Sequence, residues 1–579
     1  MPSLENVRPF LWAALISLLF LNYAAWQKDH PPAPEPVAAS PEAAAAAAGD
    51  ALAASVPTLP SPPAATASSN AAPAPGAAVP TVAAPAEASI VAAAEPAPTL
   101  VRIKTDVLDL TLSTRGGDLV ALDLPTYPVK KKNPDVKVRL FDTSNPALRY
   151  VHQGGLATGG AAQGKPEPSH LALFTTQRTD YSLADGEDEL RVPLAWTDGQ
   201  GLTVMRTYVF KRGQYAVRVE SEVQNASSAT VNVAPYSQLL RQDAPVETSM
   251  FNPETYAYRG PAVYDGEKYT KLALDDEESR AFQQQIKGGW FAAMQHYFVT
   301  AIVPPVEEAW QYRLQVSGDG ALMQATGPTR SVAPGTSAQL QQTLYMGPKL
   351  QEQLVKAGPR LDLTVDYGKL TLIAEPLFWI LDKVHKVVAN WGLAIILVTF
   401  LIKLVFYKLA ETSGRSMARM RNVTPRMKAL QERYKDNREE LGKQMMELYK
   451  REKINPVAGC LPMLVQIPFF IAFYWVLMES VEMRQAPFFG WLNDLSTMDP
   501  YFILPVIMAV AMYLQFKLNP APPDPVQAKV FAFMPVVMAV TMAWFPSGLL
   551  LYWITNTVLS ILQQWHINKI VERESAAKP

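Results

Sequence analysis

The stretch NWGLAIILVTFLIKLVFY, residues 390–407, holds a single charge, Lys403, among side chains that are otherwise apolar or weakly polar. Four more apolar runs follow it: Leu461 to Met478, Tyr501 to Phe516, Val530 to Phe545 and Leu549 to Leu562. Burying five such runs from one third of a chain would need an improbably large dry core. A bilayer accepts helices of roughly 17 to 25 mostly apolar residues. The shorter runs reach that length when flanking tyrosines, glutamines and lysines lie at the headgroups. The expectation is a polytopic α-helical membrane protein with a five-helix core over residues 390–565.

At 579 residues the chain is too long for one compact core. A mean hydropathy of +0.01 averages a polar, proline-rich N-terminal part with this apolar remainder. A formal net charge of −1 gives no bias toward nucleic acid, and none is expected to bind directly. Cys460 is the one cysteine, which excludes an intramolecular disulfide and argues against a cysteine metal site. The histidines His30, His152, His170, His296, His385 and His566 show no metal-ligand spacing. There is no P-loop, no dinucleotide glycine motif and no HExxH, so neither an enzyme nor a cofactor or metal is expected.

Phe10 to Trp26 is apolar, with Arg8 before it and Gln27, Lys28 and Asp29 after it. It lacks a good small-x-small cleavage site, so residues 1–29 read as an uncleaved signal-anchor helix with a cytoplasmic amino end. Residues 31–100 contain 15 prolines, 28 alanines and no lysine or arginine. Prolines deny the alanines a continuous helix, and few side chains are large enough to build a core. Residues 30–99 therefore read as a disordered tether with no assigned binding function.

Composition changes at Leu100. The alternation in Thr105 to Leu112 predicts a strand, and Gly116-Gly117-Asp118 a turn before Leu119 to Leu122. Further strands are predicted at Leu202 to Phe210, Ala216 to Val223, Thr230 to Pro235, His296 to Val303, Trp310 to Val316 and Ala338 to Tyr345. Short strands between turn signals predict an antiparallel β-sandwich over residues 100–355. Asp106, Asp109, Asp118 and Asp123 read as a solvated sheet face rather than acid–base machinery. Tyr256, Tyr258, Tyr264 and Tyr269 fit either a ligand groove or edge packing. Residues 356–389 read as a linker and an amphipathic interfacial helix introduced by Pro376 at its first turn.

Residues 403–458 carry 14 Lys/Arg against 7 Asp/Glu, whereas 480–500 carry one Arg against three acids. The positive-inside bias puts the first segment in the cytoplasm and the second outside. With the anchor this gives six transmembrane helices, both termini cytoplasmic and the β-domain outside. Residues 408–455 read as a cytoplasmic hairpin of two helices paired around Asp436-Asn437, the first interrupted at Pro425, with Met417, Met420, Arg421, Met427 and Met445 as its candidate contact residues. Flexible methionines suit loosely specified apolar partners, and the basic residues suit anionic phospholipids; ordinary loop charge and core methionines explain them as well. Lys403 either snorkels to the interface or faces a polar cavity lined by Thr399, Gln466, Thr555 and Asn556. Transmembrane prolines at 462, 468, 505 and 535 favour loose packing.

These stretches resemble the YidC-type inner-membrane protein insertases of Gram-negative bacteria. The resemblance rests on Thr105 to Leu110, Thr114 to Asp118, Ser416-Met417-Ala418 and Met420-Arg421. It also rests on Asn455-Pro456, Gly459-Cys460, Pro462, Val481-Glu482, Arg484 to Phe488, Phe545 to Leu549 and Leu551-Tyr552. It implies a periplasmic β-sandwich and a five-helix core enclosing a hydrophilic groove that also takes in Tyr552. The implied partners are nascent inner-membrane proteins, the Sec translocon with its accessory subunits and the translating ribosome. The tail 566–579 is only mildly basic, so ribosome binding is expected to be weak. Relatives usually place arginine in the groove where this chain has Lys403, which keeps the charge and loses the bidentate fork. They often have proline where this chain has Lys408, so a straighter helix end is expected here. The rivals are a transporter, disfavoured by the lack of an inverted repeat, and a structural scaffold for envelope complexes.

Overall fold

The computed structural model describes residues 50–57, 97–159, 165–242, 257–318, 320–434, 437–452, 461–518 and 525–576. The expected anchor over 1–29, most of the tether, Tyr256, Asn455-Pro456 and Cys460 lie outside these residues.

From Leu100 to Pro348 the described residues form a sheet of eleven strands and a sheet of eight. Pairing among them is antiparallel apart from Leu100–Lys104 with Asp180–Ser182. Alternation drives the packing: Leu190, Val192, Leu194 and Trp196 of Glu189–Thr197 turn inward, as do Leu202, Val204 and Tyr208 of Leu202–Lys211. The Gly116-Gly117 turn, with φ of 70° and 69°, aims its carbonyls at this layer. Arg206 Nη1 donates to Gly116 O (2.5 Å) and Gly154 O (3.0 Å), and Tyr208 Oη donates to Gly117 O (2.6 Å). A Cβ on Gly116 would lie 2.2 Å from His170 O, so no other residue fits there.

Two expectations fail in this region. Thr105 to Leu112 is not one strand, because Thr105 to Leu108 is the turn of a hairpin between Leu100–Lys104 and Asp109–Ser113. Thr105 Oγ1 accepts the backbone N–H of Leu108 (3.0 Å), a side-chain turn that outcompetes the alternation. Asp118 does not sit on a solvated face; it is buried and accepts from Gln153 Nε2 (2.9 Å), and burial raises its carboxyl well above the usual range. Tyr264 and Tyr269 pack against Trp290, and Tyr258 Oη donates to Pro261 O and Leu272 O, so these tyrosines are packing rather than a groove.

The tether contains an ordered piece. Asp50 to Ala53 form a helical turn lying on the outer face of the eleven-stranded sheet. Leu52, 7% exposed, packs with Val151, Leu240 and Leu322. That burial is worth roughly 1.5–3 kcal/mol against leaving the side chain in water.

The remaining chain is helical: α1 (Thr371–Val388), α2 (Trp391–Val405), α3 (Tyr407–Arg433), α4 (Arg438–Arg451), α5 (Leu461–Glu479), α6 (Ile503–Leu518), α7 (Pro525–Met542) and α8 (Ser547–Ala576). Pro376 and Pro425 both lie inside helices, so neither marks the expected start or break. The region read as a tail from residue 566 continues α8 to Ala576. The α2–α3 junction is bent by 66° despite Lys408, with Phe406 set against Phe469 (5.1 Å between rings). An apolar helix giving way to a charged one turns there without proline. By length and composition, no single described helix is long enough and apolar enough to cross a membrane; α2 with the first part of α3 passes as a bent pair.

α1, α2, α5 and the start of α8 share one buried cluster with the β-domain. Asn390 caps α2, accepting from Leu393 N (3.0 Å) and donating to Phe488 O (3.0 Å). Gly392 lets the Phe488 ring approach; a Cβ there would come within 2.1 Å of it. Arg484 Nη2 donates to Pro128 O (2.7 Å), Lys131 Nζ to Asn493 O (2.7 Å), and His296 Nε2 contacts Met478 O (2.9 Å). The β-domain is thus hydrogen-bonded directly onto the end of α5 and the segment that joins it to α6.

Candidate functional site

Lys403 stands in the last turn of α2, half-buried and facing α5 and α8. Its Nζ donates to Ser560 Oγ (2.8 Å), and Ser560 Oγ donates to Asn556 O (2.7 Å). Among the described residues no carboxylate forms an ion pair with it. A smaller cavity of about 50 Å³ lies on one side, lined by Thr399, Lys403, Gln466, Tyr552 and Asn556 with apolar neighbours. On the other side a cavity of about 480 Å³ takes in Lys403, Gln466 and Asn556, together with Ser413, Gln515, Ser560, Gln563 and Gln564. Both are built between α2, α3, α5 and α8, and α6 closes the larger one.

Each wall has a local cause. Tyr552, Asn556, Ser560 and Gln563 follow one another at helical spacing and make a polar stripe on α8. Tyr552 is wedged against Phe473 (4.7 Å) and Phe470 (5.9 Å), which fixes the upper end of that stripe. Gly414 lets α3 approach α8; a Cβ there would lie 2.8 Å from Ile567 Cδ1. Glu411 is held by Lys408 (3.2 Å) and Arg415 (3.1 Å) on the first turns of α3, so this acid is already neutralised. The arrangement offers a cation without a carboxylate partner among the described residues, beside a cavity that mixes polar and apolar side chains.

Of the residues picked from sequence, Thr399, Gln466, Tyr552 and Asn556 come together at Lys403. Thr555 does not line either cavity; its hydroxyl donates to Leu551 O (2.7 Å) one turn back. Ser560, Gln563, Gln564, Ser413 and Gln515 were missed, although the stripe on α8 was visible as a four-residue repeat of polar positions. In the hairpin, Met420, Met427 and Met445 pack with Val423 and Leu448, and Arg426 pairs with Glu452 (2.7 Å). Those three methionines are mutual packing between α3 and α4. The side chains of Met417 and Arg421 lie outside the described residues.

The structure is a two-part protein, a β-sandwich followed by a helical region with a cavity at Lys403, and family models divide the chain the same way. Residues 100–380 match the YidC periplasmic domain, and residues 383–574 match the 60Kd inner membrane protein family. The membrane protein insertase YidC of Thioalkalivibrio sulfidiphilus is 45% identical over 581 residues, covering 98% of this chain and 99% of that one. The insertase of the same name from Nitrosococcus oceani is 42% identical, covering 99% and 100%. That of Stutzerimonas stutzeri is 41% identical, covering 99% of each. The chain belongs to the YidC family.

Proposed function

We propose that the chain is a membrane protein insertase of the bacterial inner membrane, which receives nascent membrane proteins from the cytoplasm and inserts and folds them through the cavity at Lys403. The observation that carries this reading is a half-buried cation beside a cavity of about 480 Å³, lined by polar side chains among apolar ones, with no acidic partner among the described residues. A short polar segment of a substrate is costly in hydrocarbon, and a wet groove partway across shortens that barrier. Lys403 attracts acidic residues of the segment while the apolar span slides out against lipid. Bilayer partitioning and the membrane potential supply the work, in keeping with a chain that carries no nucleotide motif.

Six spans with both termini cytoplasmic, and a periplasmic β-domain, complete the reading. Exposed apolar side chains on the outer faces of the helices support it: Val405, Val506, Val510, Phe533 and Val540 are far more than a soluble surface tolerates. The hairpin of α3 and α4 receives substrate and meets anionic headgroups, the Sec translocon with its accessory subunits acts as partner on some substrates, and the ribosome is met weakly. A photo-crosslinking residue placed at Gln466, Asn556 or Ser560 is expected to capture a stalled nascent chain, with much less capture from Thr555. Equal capture from the outward-facing Val506 would contradict a defined groove.

A further inference from the structure

The outer face of the eleven-stranded sheet carries two parallel rows set by strand register. Leu240 lies opposite Val151 on one side and Leu322 on the other, giving an apolar row. Two residues along, Gln238 lies opposite Gln153 and Gln324, giving a row of glutamines. The glutamines are almost fully buried, and they are hydrogen-bonded in series: Gln324 Nε2 donates to Gln238 Oε1 (2.9 Å) and Gln238 Nε2 to Gln153 Oε1 (3.1 Å). What lies over them is residues 50–57 of the tether.

The fit is specific at each position. Asp50 Oδ1 accepts from Arg149 Nη2 (2.7 Å), at the head of the apolar row. Leu52 seats on that row, and Gly320 leaves the room, since a Cβ there would lie 3.3 Å from Leu52 Cδ1. Gln238 Nε2 reaches Ser55 O at 3.4 Å. His170 Nε2 lies 2.8 Å from Ala53 O, and a carbonyl can only accept. The ring is therefore protonated on Nε2, and Nδ1 takes the hydrogen of Tyr236 Oη at 2.7 Å. A buried histidine whose tautomer is fixed from behind, so that its proton points at the tether backbone, is an arrangement for reading a peptide.

We propose that this face is a peptide-recognition site whose ligand is the chain's own segment Asp50–Pro57, a clip that pins the tether to the β-domain. The site reads an acidic residue, a leucine two positions on, and small residues whose backbone carbonyls stay accessible. Docking has a geometric consequence for the reach of the N-terminal apolar stretch. From Asp29 to the β-domain the extended chain spans about 240 Å if the first attachment is Leu100, and about 70 Å if it is Asp50.

The test uses the full-length protein in detergent with residues 50–57 replaced by a Gly/Ser segment of equal length. A fluorescent peptide of residues 46–59 is titrated against it and against the native chain. The replaced chain is expected to bind saturably and at least tenfold more tightly than the native chain, whose site is filled in cis. Peptides carrying Leu52→Asp or Asp50→Lys are expected to lose at least tenfold, and Arg149→Glu in the protein to restore the Asp50→Lys peptide. Equal binding to both chains, or indifference to the peptide substitutions, would overturn the proposal. Absence of binding to the replaced chain would overturn it as well, provided that chain melts like the native one.

Discussion

Lys349 and Lys403 are both withdrawn from water, and the chain treats them in opposite ways. Lys349 is 1% exposed where the β-domain meets α5. Burial pushes its ammonium down, and the nearby Glu479 and Asp366 oppose that push. Asp366 is shared with Lys271, and His296 lies 3.9 Å from Glu479. Lys403 is half-buried beside an open cavity of mixed polar and apolar lining, with a serine hydroxyl as its partner. The difference separates two uses of a buried charge. A cation with its counter-charges built in joins two parts of a molecule; a cation left without them is available to something that arrives.

That contrast breaks most visibly at Lys349. Replacing it with methionine takes the buried Glu479 out of reach of its nearby cation, while Asp366 keeps Lys271, and is expected to destabilise the protein by about 3–5 kcal/mol. Thermal melting in detergent would register it, and Glu479→Gln in the same chain should recover most of the loss. A single Lys349→Met variant that melts like wild type would remove the structural half of the comparison.

A smaller effect is expected at Glu482 in the same junction. Its carboxyl is pushed up from its ordinary 4.5 to about 7 by burial, and its Oε2 has no hydrogen-bond partner among the described residues. Between those values the folded chain holds a proton that the unfolded chain has released, so stability falls as pH rises through about 4.5 to 7 and stays low above. Glu482→Gln should therefore melt above wild type at pH 8, by roughly 1–3 kcal/mol, with the gap closing toward pH 4.5. Parallel melting curves at every pH would contradict the assignment.

The residues around Lys403 were more legible in the sequence than those of the junction, for a physical reason. Lys403 is conspicuous because a charge in an apolar run has few innocent explanations, and Thr399, Gln466 and Asn556 stand out against the same background, whereas Tyr552 came from the family resemblance. Thr555 is as polar as its neighbour Asn556, but on a helix adjacent residues point about 100° apart, and its hydroxyl is spent on Leu551 O. Lys349, Glu479 and Glu482 are ordinary polar residues near segment ends, and only the folded chain brings them together. The strand read into Thr105 to Leu112 failed because alternation carries no record of a threonine bonding its own backbone. The clip at Asp50 was hidden by composition: one leucine and one aspartate in an Ala/Pro background look like noise until the rows that receive them are formed.

The central claim is that Lys403 works by its charge. Its most direct test is insertion of a small single-span substrate with an acidic tail into proteoliposomes containing this protein alone. Lys403→Arg should retain insertion near the wild-type level, Lys403→Ala should lower it about tenfold or more, and Lys403→Glu should lower it further. Insertion that is indifferent to all three substitutions would contradict the account and leave Lys403 as a lysine that merely reaches for the interface.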